Sequence, residues 1–224
     1  MNYADVYLKL KEMHPNAGCE LNYSTPFELL VAVILSAQCT DKRVNIVTDK
    51  LFKVYNTPEQ FARLTVEELK PYIFSTGFYN NKAKNIIAAS REIVEKYSGE
   101  VPREMDKLVA LAGVGRKTAS VVMTVAYDEP AMPVDTHVFR VSRRIGIASG
   151  NTVEKVEREL CKAYPAEQWN TLHHTLIFHG RYVCKAQKPA CGECKLKGIC
   201  LYSIGKDKET EEAKDVSRRC DDIH

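Results

Sequence analysis

The chain has 224 residues, 45% of them hydrophobic, and a formal charge of +3. That length and apolar content are enough for one large core or two smaller ones. No run approaches the roughly eighteen consecutive apolar residues of a membrane helix, and Met-Asn-Tyr-Ala-Asp-Val-Tyr at the start lacks the basic and apolar regions of a secretory leader. A cytoplasmic location with no membrane partner is expected.

The charge is too small to announce a nucleic-acid partner, but its distribution is uneven. Residues 205–224 carry five basic and seven acidic side chains, a net of −2, which leaves +5 for the rest of the chain. Cations bunch at Arg116-Lys117, Arg140, Arg143-Arg144 and from Arg181 to Lys188, as a phosphate-facing surface requires, although solvated helix faces collect charge in the same way. Eight cysteines are present, four of them crowded between Cys184 and Cys200. The others (Cys19, Cys39, Cys161, Cys220) lie far apart and are expected to stay reduced and structural.

In chain order, nearly every segment up to residue 181 has helical periodicity, and no alternating runs bounded by hairpin turns appear, so the expected fold class is all-α. The segment Phe27-Glu-Leu-Leu-Val-Ala-Val-Ile-Leu-Ser-Ala-Gln38 is apolar almost all round and predicts a central buried helix. Asp41, Pro58, Thr65 and Thr152 stand where N-caps or first-turn residues belong, and Gly77, Gly99, Gly113, Gly146 and Gly150 mark breaks between helices.

Residues 108–122, Leu-Val-Ala-Leu-Ala-Gly113-Val-Gly115-Arg-Lys-Thr-Ala-Ser-Val-Val, read as helix, glycine turn, helix. Both glycines allow positive φ and close backbone approach, and the amides that open the second helix form a site for a phosphate. Lys117 falls in that first turn beside Arg116. As a charged amine it would hold phosphate; as a neutral one it would be a nucleophile. Eighteen residues on, Pro133-Val-Asp135-Thr-His137-Val-Phe-Arg140 opens another helix, where Asp135 can cap, or set a carboxylate against positive charge, or both. An amine to attack a sugar C1′ and a carboxylate to stabilise oxocarbenium character there form a minimal set for base excision.

Cys184, Cys191, Cys194 and Cys200 are separated by six, two and five residues, so four thiolates can converge from one loop. That spacing alone leaves tetrahedral zinc and a cubane iron-sulfur cluster open. Lys185, Lys188 and Pro189 stand between the first two ligands and place cations at the loop tip. Beyond Cys200 the composition turns charged and aperiodic, and residues 203–224 are expected to form a poorly ordered tail.

Four blocks together resemble the endonuclease III family: Leu35-Ser-Ala-Gln-Cys-Thr-Asp41, Leu111-Ala-Gly-Val-Gly-Arg-Lys-Thr-Ala119, Val134-Asp-Thr-His-Val-Phe-Arg140, and His179-Gly-Arg-Tyr-Val-Cys184 leading into the cysteines. The resemblance spans about residues 1–202. It implies a two-domain helix-hairpin-helix fold, with a six-helix domain over 19–129 containing the hairpin (about 105–124) and a cluster domain from 1–18 and 130–202. It implies a bifunctional glycosylase and abasic-site lyase that removes oxidised pyrimidines through a Schiff base on Lys117 and nicks by β-elimination, with Asp135 as the carboxylate partner. By the same resemblance the four cysteines hold a [4Fe-4S] cluster. The expected partner is double-stranded DNA with damaged bases or abasic sites, bound by a monomer that would be nucleoid-associated in a bacterium or archaeon.

A damaged base must leave the stack, and something must fill the gap. Gln38 matches the family's inserting glutamine, and Phe78 stands after Gly77 where leucine is common, with a core aromatic as the alternative role. Further expected DNA contacts are Gly113, Gly115, Arg116, Thr118, His137, Arg140, Arg181 and Lys188, whereas His173 and His174 are expected to pack. Two rival functions are a non-enzymatic helix-hairpin-helix DNA-binding protein and a mismatch adenine glycosylase. The second requires a glutamate where this chain has Ala32, and a C-terminal recognition domain for which the residues after Cys200 leave no room.

Overall fold

The structure, a computed structural model, describes residues 1–205, and every regular element among them is helical. The expected tail lies outside the described residues from 206 onward, while residues 203–205 belong to a helical stretch that starts at Leu201. The chain divides into two compact units, Cys19–Pro133 on one side and Met1–Gly18 with the residues from Val134 onward on the other.

Seven α-helices make up the continuous unit: α2 (Pro26–Ser36), α3 (Asp41–Leu51), α4 (Pro58–Arg63), α5 (Val66–Ile73), α6 (Tyr79–Tyr97), α7 (Met105–Val109) and α8 (Arg116–Tyr127). Threonines start four of them. Thr25, Thr40, Thr57 and Thr65 each accept a hydrogen bond from a first-turn amide, and Thr57 and Thr65 form capping boxes with Gln60 and Glu68. Helix α2 buries every residue from Phe27 to Leu35, so it has no solvent face and forms the centre that α3, α6 and α8 cover. Truncating one of its leucines to alanine would remove about 2–5 kcal/mol of stability.

In the second unit, α1 (Tyr3–Met13) packs on α11 (Trp169–Phe178), and α11 on α9 (Thr136–Ile145), with α10 (Val153–Ala163) also against α9. Val6, Leu10, Val138, Val141, Val156, Leu160, Leu172 and Leu176 are fully buried here. After α11 the chain widens into a π-helical turn, His179–Val183, which leads into the cysteine loop. His173 and His174 are both buried on α11, as packed histidines are.

Candidate functional site

In the first unit, the turn before α8 is pinned by buried Leu111 and Val114 and by the Val114 amide donating to the Leu111 carbonyl at 3.1 Å. Gly113 holds φ +74°, and a Cβ there would lie 2.6 Å from the Asn85 side chain, so both conformation and space require glycine. Gly115 differs from expectation: its φ is −83° and nothing would meet a Cβ within 4 Å. Its lack of a side chain leaves open the space before α8, where no side chain caps the helix and no acid occupies the first turn. An uncapped helix start with the positive end of its dipole exposed is an anion site in the making. Arg116 and Lys117 are exposed and Thr118 half-buried in that turn, while Ala119 and Val122 anchor α8 beneath them.

Other turns in this unit carry exposed side chains on left-handed backbone, Gln38, Phe78 and Asp128 among them. Gln38 follows the end of α2 with φ 54°, and Phe78 precedes α6 with φ 47° and is 65% exposed. Phe78 is therefore not a core aromatic. Non-glycine residues in this region cost about 1–3 kcal/mol each and persist only where the surroundings dictate them. Lys82, buried in the first turn of α6, donates to the carbonyls of Leu35, Ala37 and Thr76, each at 2.8 Å.

In the second unit, half-buried Asp135 caps α9, its Oδ1 accepting from the Val138 amide at 2.7 Å. Farther along α9, the Arg140 side chain reaches the main chain of the π turn and the cysteine loop. Its guanidinium donates to the carbonyls of Gly180 (2.9 Å) and Cys184 (3.2 and 3.3 Å), and approaches His137 Nδ1 at 3.2 Å. A guanidinium bonded to main-chain acceptors in this way braces the π turn and the first cysteine. Gly180 makes this contact possible, since a Cβ there would lie 2.9 Å from His137. Arg144 braces the same loop, donating to Lys185 O (2.7 Å) and Ala186 O (3.0 Å) while stacking on Tyr202. Arg181 is half-buried in the π turn, and Lys188, with φ 48°, is exposed at the loop tip.

The four cysteines of the loop line one pocket with Ile145, His179 and Leu196. Burial pushes the thiols of Cys194 and Cys200 up, and the negative charge of the other cysteines adds to it. Four sulfurs in such a pocket become thiolates only with compensating positive charge. Among the described residues, no group of three or more His, Cys, Asp or Glu side chains is gathered as a single metal ion requires. A tetrahedral zinc would draw its sulfurs to about 3.8 Å of one another. In a cubane each thiolate bonds a separate iron, and cysteines that line one pocket without closing on a point fit that donor set. His179 flanks the pocket, its Nε2 3.6 Å from Cys194 Sγ and its Nδ1 3.1 Å from His14 Nε2; burial, and then His14, push its pKa down to about 4. The bracing roles of Lys82 and Arg144 are not legible in the sequence, because lysines and arginines on helices look alike until their acceptors are known.

A family model described as HhH-GPD superfamily base excision DNA repair protein matches residues 31–166, and one described as the iron-sulfur binding domain of endonuclease III matches residues 184–200. Endonuclease III of Bacillus subtilis is 54% identical over 202 residues, 90% of this chain and 92% of that protein. A solved non-covalent endonuclease III–DNA complex superposes with a TM-score of 0.88 at 46% identity, covering 93% of this chain and 99% of that one. A trapped endonuclease III–DNA covalent intermediate gives 0.87 at 47% identity, covering 92% and 99%. With the hairpin and the cysteine pocket both inside matched regions, the chain belongs to the endonuclease III family of the HhH-GPD superfamily.

Proposed function

We propose that the chain is a bifunctional DNA glycosylase and abasic-site lyase that removes oxidised pyrimidines from double-stranded DNA, working as a monomer on cytoplasmic, nucleoid DNA. The observation that carries this is Lys117: an exposed primary amine in the first turn of an uncapped helix, behind an open glycine turn. The amides at the start of α8 hold a backbone phosphate, and Arg116 and Thr118 steady it. That anchors the strand beside the amine.

The Lys117 Nζ lone pair attacks C1′ of the extruded nucleotide; the C1′–N bond breaks and the base leaves with a proton. The Asp135 carboxylate stabilises the positive charge that builds on the sugar. Opening of the sugar ring gives a Schiff base between Nζ and C1′. Loss of a C2′ proton then breaks the C3′–O bond and releases the 3′ phosphate, and water frees the lysine. Gln38 and Phe78 fill the gap left in the stack. Cys184, Cys191, Cys194 and Cys200 hold a [4Fe-4S] cluster, which when bound cross-links the loop between them.

Borohydride trapping is the test. Wild-type protein should form a covalent adduct with abasic duplex DNA, and Lys117→Ala should form none while still binding. An absent adduct with Lys117 intact would leave a DNA-binding protein without this chemistry.

A further inference from the structure

Lys82 is 5% exposed, and among the described residues the acceptors its ammonium bonds are all main-chain carbonyls, with the Cys39 thiol also in its electrostatic surroundings. An ammonium has three donors and no acceptor, and here all three are used. Two of the bonds go to the end of α2, where carbonyls are left without helical partners and the dipole is negative. These are Leu35, inside the last turn, and Ala37, the residue before Gln38. The third goes to Thr76, whose hydroxyl bonds Ile73 O and whose chain runs directly into Gly77 and Phe78. The backbone amide of Lys82 also donates to the Phe78 carbonyl at 3.1 Å. One side chain thus ties the turn bearing Gln38 to the turn bearing Phe78, and both turns hold backbone that needs an external constraint.

A buried cation costs desolvation, which lowers the Lys82 pKa; an apolar side chain would fill the volume without that penalty. What an apolar side chain cannot do is satisfy three carbonyls converging from two turns. Those carbonyls would then be left unpaired, and both turns would relax toward ordinary backbone.

We propose that Lys82 is a positioning residue for opening the duplex: it fixes the Gln38 and Phe78 turns relative to each other, so that both side chains enter the stack as the lesion leaves. This rests on the function proposed above. It also separates substrates. A lesion paired in duplex must be extruded before Lys117 can reach C1′, whereas an abasic site in single-stranded DNA has no paired base to displace.

The experiment measures two single-turnover rates on one preparation of Lys82→Met: excision of an oxidised pyrimidine paired in duplex, and β-elimination at an abasic site in single-stranded DNA. Their ratio does not depend on the folded fraction. The ratio of duplex to single-stranded rate should fall by about 100-fold, the penalty of an ångström-scale misplacement. A fluorescent base analogue beside the lesion should report slower unstacking to match. Lys82→Gln, which keeps donors for part of the set, should fall between Lys82→Met and wild type, and it carries the same measurement if the methionine variant folds poorly. An unchanged ratio in these variants, with equal loss of both rates or none, would overturn the positioning role. If the wild-type protein forms no borohydride adduct, the proposed function itself fails; if it forms one and the ratio is unchanged, only the role of Lys82 fails.

Discussion

Asp135 caps α9 and, under the proposed mechanism, also supplies the carboxylate, and substitution can separate the two roles. Asparagine is as good an N-cap as aspartate, so Asp135→Asn should keep the Val138 amide satisfied and leave stability nearly unchanged while removing the carboxylate charge. Under the proposed mechanism, base release should slow by about 100-fold, with cleavage at a preformed abasic site less affected. Asp135→Ala should lose about 1 kcal/mol of stability as well, read by denaturant titration. A buried histidine adds its own acid dependence. Burial lowers the pKa of His174, so its neutral form belongs to the folded state. Its contribution is complete above about pH 6.5, the unfolded value, and declines as pH falls below it, by up to about 1.4 kcal/mol per unit. Thermal melts from pH 7.5 to 4.5 should show a shallower acid decline for His174→Gln than for wild type. At this scale the sequence is informative where chemistry depends on residue type and silent where it depends on reach. The packing of His173 and His174 is legible from their apolar surroundings. Arg140 reads as a cation for phosphate, because nothing in its neighbours reveals the Gly180 and Cys184 carbonyls, 40 and 44 positions downstream, that it also bonds.

Among the elements, the hairpin makes the sharpest distinction. Its two glycines look equivalent in Gly-Val-Gly, yet only Gly113 has positive φ and a crowded Cβ position. Gly113→Ala should therefore cost about 1–3 kcal/mol. Gly115→Ala should fold with a much smaller loss, since its backbone is extended and its surroundings empty. It should nonetheless weaken duplex binding, because the added methyl group occupies the approach to the α8 amides. Parallel melting and binding titrations check both halves. The starts of α3, α4, α5 and α10 are legible in sequence, since a threonine or the residue after it announces each cap. The widened turn His179–Val183 is not, because a π turn is imposed by what packs against it and Gly180 records only that something comes close.

For the whole molecule, the chain begins in one unit, builds the other from Cys19 to Pro133, and returns. Local periodicity carries the helices but says nothing of such a return; the family resemblance does, because it concerns the whole order of motifs. Removal of iron should act on one unit only. Hydrogen exchange should accelerate in α1, α9, α11 and the cysteine loop, while α2 and α6 keep their protection, with iron content measured alongside. Helix α9 gives that separation a chemical edge. It is ten residues, about 15 Å, with Asp135 at its head and Arg140 and Arg144 farther along holding the main chain around Cys184. A rod gripped at one end fixes the other. Under the proposed mechanism, loosening the main chain around Cys184 would therefore also loosen the helix that sets the Asp135 carboxylate.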